Sequence, residues 1–400
     1  MTESVARTLM RDRADGEQRV TNVELFFDLV YVFAVTQLSH YLLPRPTLDK
    51  ALQTALLLVM VWLLWSYTTW VTNWLDPERI PVRVLLLCLM LVGLAMSAAL
   101  PRAFGDSGLL IGVAYAVMQI GRSVFTVWAM QGQPLQRNFQ RILAWCCVSG
   151  ALAIAGGLTA SVYPRALFWV LAVGVDVLGG VFGFYTPGLG RSTTAEWDIE
   201  GGHFAERCQG FILIALGESI VVIGATLARL LRPLAQPGAD RAATVAAFVI
   251  AFVGSAALWW LYFDRTATEG ARLIAESDDP GRLGRSAYHL IHPIMVAGII
   301  VVAAADELVL AHPDAVGAGS TSWPILGGAA LYLAGLLAFK LTVWRRFSWQ
   351  RASALVVLAL LGLLAPHVSA LVLSGCVAAV LVAVAIADQV QFRPAADGET

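Results

Sequence analysis

Charge is what this 400-residue sequence has least of. Only 14% of its residues are Asp, Glu, Lys or Arg, against about 25% in a soluble domain. So thin a supply argues against a water-soluble fold. A net charge of −1 argues against nucleic-acid binding, which draws on an excess of Lys and Arg. Cysteine is also scarce. Cys88, Cys146, Cys147, Cys208 and Cys376 lie in or at apolar segments without metal-ligand spacing, so they read as small core hydrophobes. No P-loop is present, which excludes an ATP-driven pump acting alone, and neither an H-E-x-x-H nor a G-x-S-x-G motif occurs on any apolar segment. The stretch from Met1 to Arg19 alternates acids with Arg and has no apolar core. It is therefore not expected to be a signal peptide, and the first span is expected to stay in the mature protein.

Apolar residues make up 58% of the chain and the mean hydropathy is +0.71, so an all-α polytopic membrane protein is expected. Runs separated by Pro, Gly or Arg clusters predict twelve spans, at 22–43, 51–73, 81–100, 108–130, 141–161, 165–184, 205–228, 242–263, 286–305, 324–344, 352–366 and 368–387. The last two form a hairpin of short helices broken at Pro366-His367, because 352–387 as one helix would be about 54 Å long. Placing the N-terminus in the cytoplasm puts eighteen Lys and Arg in inner segments and seven in outer ones. That bias orients both termini inside. The abundant Trp near the ends of spans 2 and 8 reads as an interfacial belt.

The halves resemble each other. Met90 to Ala99 in span 3 parallels Met295 to Ala304 in span 9. Trp65-Ser66-Tyr67 in span 2 parallels Trp260-Leu261-Tyr262 in span 8. Arg122 before Thr126-Val127-Trp128 parallels Lys340 before Thr342-Val343-Trp344. A parallel tandem repeat of six plus six helices is expected, as in one class of secondary transporter. The segments are then a cytoplasmic 1–21, a first repeat at 22–184, a cytoplasmic linker at 185–204, a second repeat at 205–387 and a cytoplasmic tail at 388–400.

Ionisable groups inside apolar segments are costly and mark function by default. Glu24, Asp28 and Tyr31 share one helix face of span 1. Two carboxylates a turn apart repel, so either a cation sits beside them or one holds a proton. Glu24 alone also fits a solvated place at a helix N-terminus. Span 7 carries Glu206 and, deeper, Glu218. Gly210, Gly217 and Gly224 follow Glu206 along one face and suit a helix-packing seam. Arg122 in span 4 is the expected counter-charge of the acid pair, and Lys340 in span 10 either joins it or snorkels. His289 and His292 can face one way, but without a third ligand they predict no metal site. Asp176 is a further buried acid without an obvious partner. Alternating topology places Glu24, Asp28, Arg122, Glu206, His289, His292 and Lys340 in the cytoplasmic half. They are expected to form one ionisable cluster, with Glu218 as its inward extension.

The segment from Thr21 to Ala34, with Glu24-Leu25-Phe26-Phe27-Asp28, resembles the opening motif of the bacterial low temperature requirement A family. So do Glu206-Arg207 with Leu216-Gly217-Glu218, Asn73-Trp74-Leu75-Asp76-Pro77 and Trp260 to Asp264. The resemblance spans nearly the whole chain and implies a multi-pass inner-membrane protein. A second likeness joins Asp28-x-Val30-Tyr31-x-x-Ala34-x-Thr36-x-Leu38 to the first helix of potassium channels built from six-helix repeats. Phe27 stands where those channels have Ser, and Gly210 or Ile212 where the second repeat would have Asp. The expected function is a transporter that moves a small solute or ion with protonatable carboxylates. The alternatives are a cation or proton channel lined by helices 1 and 7, and an intramembrane enzyme or structural cold-stress protein. The expected partners are the bilayer, a small solute, monovalent cation or proton, and a second copy of the chain. No catalytic residue, cofactor or nucleic acid is expected.

Overall fold

Inside a bilayer the backbone has no water to bond, so a chain this apolar must satisfy its N–H and C=O groups within each segment, and helices do that. A computed structural model describes residues 9–11, 19–193, 201–230, 241–264, 266–277, 279–317 and 319–391 of the protein. Parts of the expected N-terminal segment, 185–204 linker and C-terminal tail lie outside the described residues.

The long helices are α1 (Asn22–Leu42), α2 (Leu48–Trp74), α3 (Ile80–Ala99), α4 (Gly108–Ala129), α5 (Gln136–Leu158) and α6 (Val162–Val181). They continue with α7 (Gly201–Leu230), α8 (Arg241–Phe263), α9 (His292–Ala311), α10 (Gly319–Trp344), α11 (Trp349–Leu364) and α12 (Ala370–Gln391). Among the described residues, twelve segments are long and apolar enough to cross a membrane. The protein is an all-α, multi-pass membrane protein. Pairing between extended segments is limited, among those residues, to isolated bridges.

Proline sets several boundaries, since it lacks an N–H and suits the first helical turn. Pro81 and Pro293 open α3 and α9, and the expected break at Pro366 is a 3₁₀ turn, Ala365–His367. The connection from α8 to α9 is more ordered than the sequence suggests. It holds the helices Thr266–Ala275 and Pro280–Leu283 and a π-helical stretch, Gly284–Ile291.

Compactness divides the chain into two units. The first holds residues 1–41, 49–211 and 271–289; the second holds 42–48, 212–270 and 290–400. In the first unit Tyr67, Val71 and Trp74 of α2 pack with Ala129, Met130, Phe139, Ile142 and Cys146 of the α4–α5 region. Close approach of α4 and α5 depends on glycine: a Cβ on Gly157 would lie 2.6 Å from the Gly108 carbonyl oxygen. In the second unit α9 and α10 meet the same way, with a Cβ on Gly298 falling 2.6 Å from the Tyr332 nitrogen.

Candidate functional site

The site grows from the first turn of α1. Thr21 precedes the helix and Glu24 stands three residues on, the spacing of a capping box. The Glu24 amide donates to Thr21 Oγ1 at 3.4 Å, and Glu24 Oε2 accepts from the Thr21 amide and hydroxyl, both at 2.9 Å. Glu24 is nevertheless 0% exposed and Asp28 2%, so neither carboxylate relies on water.

Their partner is Arg207 of α7. Its Nη2 and Nε reach Asp28 Oδ1 and Oδ2 at 2.6 and 3.2 Å, and its Nη1 reaches Glu24 Oε1 at 2.9 Å. One guanidinium thus spans two carboxylates a helical turn apart, using the fork geometry that Lys lacks. The indole N–H of Trp65 donates to Asp28 Oδ1 at 2.7 Å. His203, one turn before Arg207, sets its Nε2 2.9 Å from Glu24 Oε1 and its Nδ1 3.3 Å from Asn73 Nδ2.

The second cation comes from outside the long helices. Met10 forms an antiparallel bridge with Leu75 at the end of α2. The Arg11 amide donates to the Trp74 carbonyl and the Asp76 amide to the Leu9 carbonyl, each at 2.9 Å. That short pairing delivers Arg11, whose Nη2 reaches Glu24 Oε2 at 2.8 Å and whose Nε donates to the Thr72 carbonyl at 2.8 Å. Two carboxylates face two guanidiniums, and the set balances. Beside it Phe27, Tyr31, Trp62, Trp65 and Phe211 form an aromatic layer. Phe211 lies 4.8 Å from Trp65, 5.1 Å from Trp62 and 6.1 Å from Tyr31, centroid to centroid, and all five are buried. The Tyr31 hydroxyl is enclosed without a hydrogen bond among the described residues.

Arg122 is not the counter-charge. It is buried in α4, where it donates to Gln119 Oε1 and stacks over the Tyr67 ring at 5.1 Å. Gln119 donates in turn to Asp176 Oδ2 at 2.8 Å, the same oxygen that the Tyr115 hydroxyl bonds, and the Tyr67 hydroxyl donates to the Asp176 carbonyl at 3.0 Å. Asp176 therefore has partners after all, uncharged ones from α2 and α4, so in the first unit Arg122 and Asp176 make a second polar network. Glu206 and Arg207 are about 100° apart on α7, so one of them must face away from α1. It is Glu206, which is exposed and accepts the Val20 amide at 3.2 Å.

The remaining candidates each belong to one unit or the other. His289 of the first unit pairs its Nδ1 with Ser66 Oγ at 2.5 Å, and its carbonyl accepts the Trp62 indole at 2.8 Å. His292 of the second unit pairs with the Tyr262 hydroxyl at 2.7 Å. Lys340 stands 3.8 Å from Asp388, which Arg351 grips at 2.7 and 3.2 Å. Lys340 and Asp388 line a crevice with Trp260, Leu261, Asp264, Thr266 and Ala385. Glu218 is buried in the second unit's part of α7. The glycine seam is corrected: a Cβ on Gly210, Gly217 or Gly224 meets nothing within 4 Å, and Gly217 and Gly224 are exposed. The face of α7 that packs carries Phe204, Ala205, Cys208, Phe211, Ala215 and Leu216 instead.

Sequence reasoning missed Arg11, His203, Arg207, Arg351 and Asp388 as participants. Thr21-Asn22-Val23-Glu24 carried a usable signal, the capping-box spacing, that fixes where α1 starts. Nothing local marks Arg11, whose role depends on a bridge to residues more than sixty positions away.

The family model for the bacterial low temperature requirement A protein (LtrA) matches residues 19–386. An uncharacterized protein of Rhizobium meliloti (strain 1021) is 33% identical over 396 residues, covering 98% of this chain and 94% of that one. No solved structure matches.

Proposed function

The chain belongs to the bacterial low temperature requirement A family, and from that premise we propose that it is a secondary transporter of the bacterial inner membrane. It moves a small solute or ion, has both termini in the cytoplasm, and is built as two six-helix repeats. We assign it no catalytic residue. The observation that supports this reading is the balanced ion network of the first unit. It binds the opening turns of α1 and α7 to the end of α2 and to the N-terminal segment.

Taking charged groups out of water costs several kcal/mol per ion, and their attraction compensates only when the set is complete. Such a network has two favourable conditions, closed and dry or open and hydrated, which is what a gate requires. While it is closed, Arg207 pairs with both Asp28 and Glu24. Opening withdraws Arg207 from Asp28, which is left without a counter-charge and becomes able to take up a proton, while Glu24 keeps Arg11. The gate and the proton-linked step are then one event.

A channel lined by α1 and α7 is less well supported. Such a pore has to pass Phe27, Tyr31, Trp62, Trp65 and Phe211, which fill the first unit beside the network. Counterflow in proteoliposomes distinguishes the two. A panel of alkali cations, amino acids and small organic acids is loaded inside, and tracer uptake of each is followed. Slow, saturable exchange of at least one solute is expected, reduced at least tenfold by Asp28→Asn. Fast, non-saturating conductance in the same vesicles overturns the transporter reading in favour of a channel. Absence of both overturns transport altogether.

A further inference from the structure

Asp306 lies in α9, after Ala303, Ala304 and Ala305 and before Val309 and Leu310, all of them buried. Asp306 itself is 6% exposed. Its Oδ2 is enclosed without a hydrogen-bond partner, and among the described residues no donor or cation reaches the side chain. The elements packed against α9 explain why. α8, α10 and α12 all touch it; the side chain of Arg241, the first residue of α8, lies outside the described residues, and the stretches that follow carry no charge. From Ala242 to Trp259, α8 has no titratable side chain, and from Gly319 to Leu331, α10 has none. In α12 the first one after Ala370 is Cys376, which is exposed. The 42–48 connector, which meets α10 where the Pro46 carbonyl accepts the Trp323 indole, brings only Arg45, and Arg45 is exposed. On its own element Asp306 is followed by Glu307 and, past the helix end, by His312 and Asp314.

This is the opposite arrangement to Asp28. An ionised carboxylate without a counter-charge or donor is the costliest side chain to bury, and such a group neutralises instead. A metal cation would need several oxygen ligands, and the surrounding helical carbonyls are committed to their own ladders. A proton needs none. An intramembrane acid of this kind is a functional position by default.

We propose that Asp306 is the proton-binding carboxyl of the second unit, carrying its proton in this conformation and exchanging it with water when α9 is wetted. As a coupling group the assignment rests on the transporter reading above; as a proton-binding site it does not. The step is a simple acid dissociation: the carboxyl gives its proton to water, leaving the carboxylate, and takes one back on reburial. Asp306 lies roughly 8 Å from the end of α9, one short reorientation from the membrane surface.

Dicyclohexylcarbodiimide tests this on the full-length protein in detergent, because it modifies protonated carboxyls in apolar surroundings. Peptide mass spectrometry after treatment at pH 6 and pH 8 is expected to find the adduct on Asp306 and none on Glu24 or Asp28, whose ions are paired. Asp306→Asn, checked as monodisperse by gel filtration, removes the label while preserving size and shape. In vesicles loaded with a pH-sensitive dye, the same variant is expected to slow solute-driven proton movement at least tenfold. An Asp306 left unmodified in folded protein at both pH values overturns the site. Proton movement equal to the parent's overturns its coupling role. If the parent moves no solute at all, the transporter reading fails while the carbodiimide result still decides whether Asp306 holds a proton.

Discussion

At the scale of single residues, the account rests on which charge faces which. Arg207 serves two buried carboxylates at once, and removing it leaves Asp28 without a counter-charge and Glu24 with Arg11 alone. Breaking a buried pair from one side costs about 3–5 kcal/mol, so Arg207→Gln is expected to lower the thermal midpoint in detergent sharply. Arg122→Gln is expected to cost less, because Arg122 answers an amide and an aromatic ring rather than an acid. Equal losses for the two variants contradict the assignment of partners. The acids were legible in the sequence because apolar neighbours make a carboxylate conspicuous. Their partner was not. Glu206-Arg207 says that one of the two must face outward, but only the rotation of α7 decides which. Asp176 misled for a related reason: its donors, Tyr115 and Gln119, are uncharged and leave no mark in a search for counter-ions.

At the scale of elements, the capping box and the glycine contacts make separate predictions. Thr21→Ala removes the hydroxyl that receives the Glu24 amide, and losing such a cap costs about 1 kcal/mol. The first turn of α1 should then exchange its amide hydrogens faster than the rest of the helix, as hydrogen-exchange mass spectrometry would detect. Uniform exchange along α1 would show that Thr21 does not anchor it. Gly217→Ala and Gly224→Ala enter open space on α7, and Ala in a helix interior is favoured over Gly by roughly 0.5–1 kcal/mol. Both should preserve or raise the thermal midpoint. Gly298→Ala should lower it, since the new Cβ meets the α10 backbone. The spacing of Gly210, Gly217 and Gly224 was legible, but a stripe of small residues does not say whether anything lies against it. The spans themselves were the most legible part, because apolar length alone decides them. The helices between α8 and α9 were hidden, since a polar stretch such as Thr266 to Ala275 resembles a loop until its own short amphipathic turn is packed.

At the scale of the whole molecule, membership of the family and twelve membrane-crossing segments describe a multi-pass membrane protein. The tandem repeat, the orientation and the transport cycle are the reading built on them. The central claim is that the Glu24–Asp28–Arg207–Arg11 network is a closed gate. Cys208 provides a native reporter, being buried in α7 directly after Arg207. In protein retaining Cys208 as its single cysteine, the rate of modification by a water-soluble maleimide reads how often that layer opens. The account predicts slow labelling in the parent and labelling at least tenfold faster in Arg207→Gln that remains monodisperse. Labelling of Cys208 that is no faster in Arg207→Gln than in the parent would contradict it.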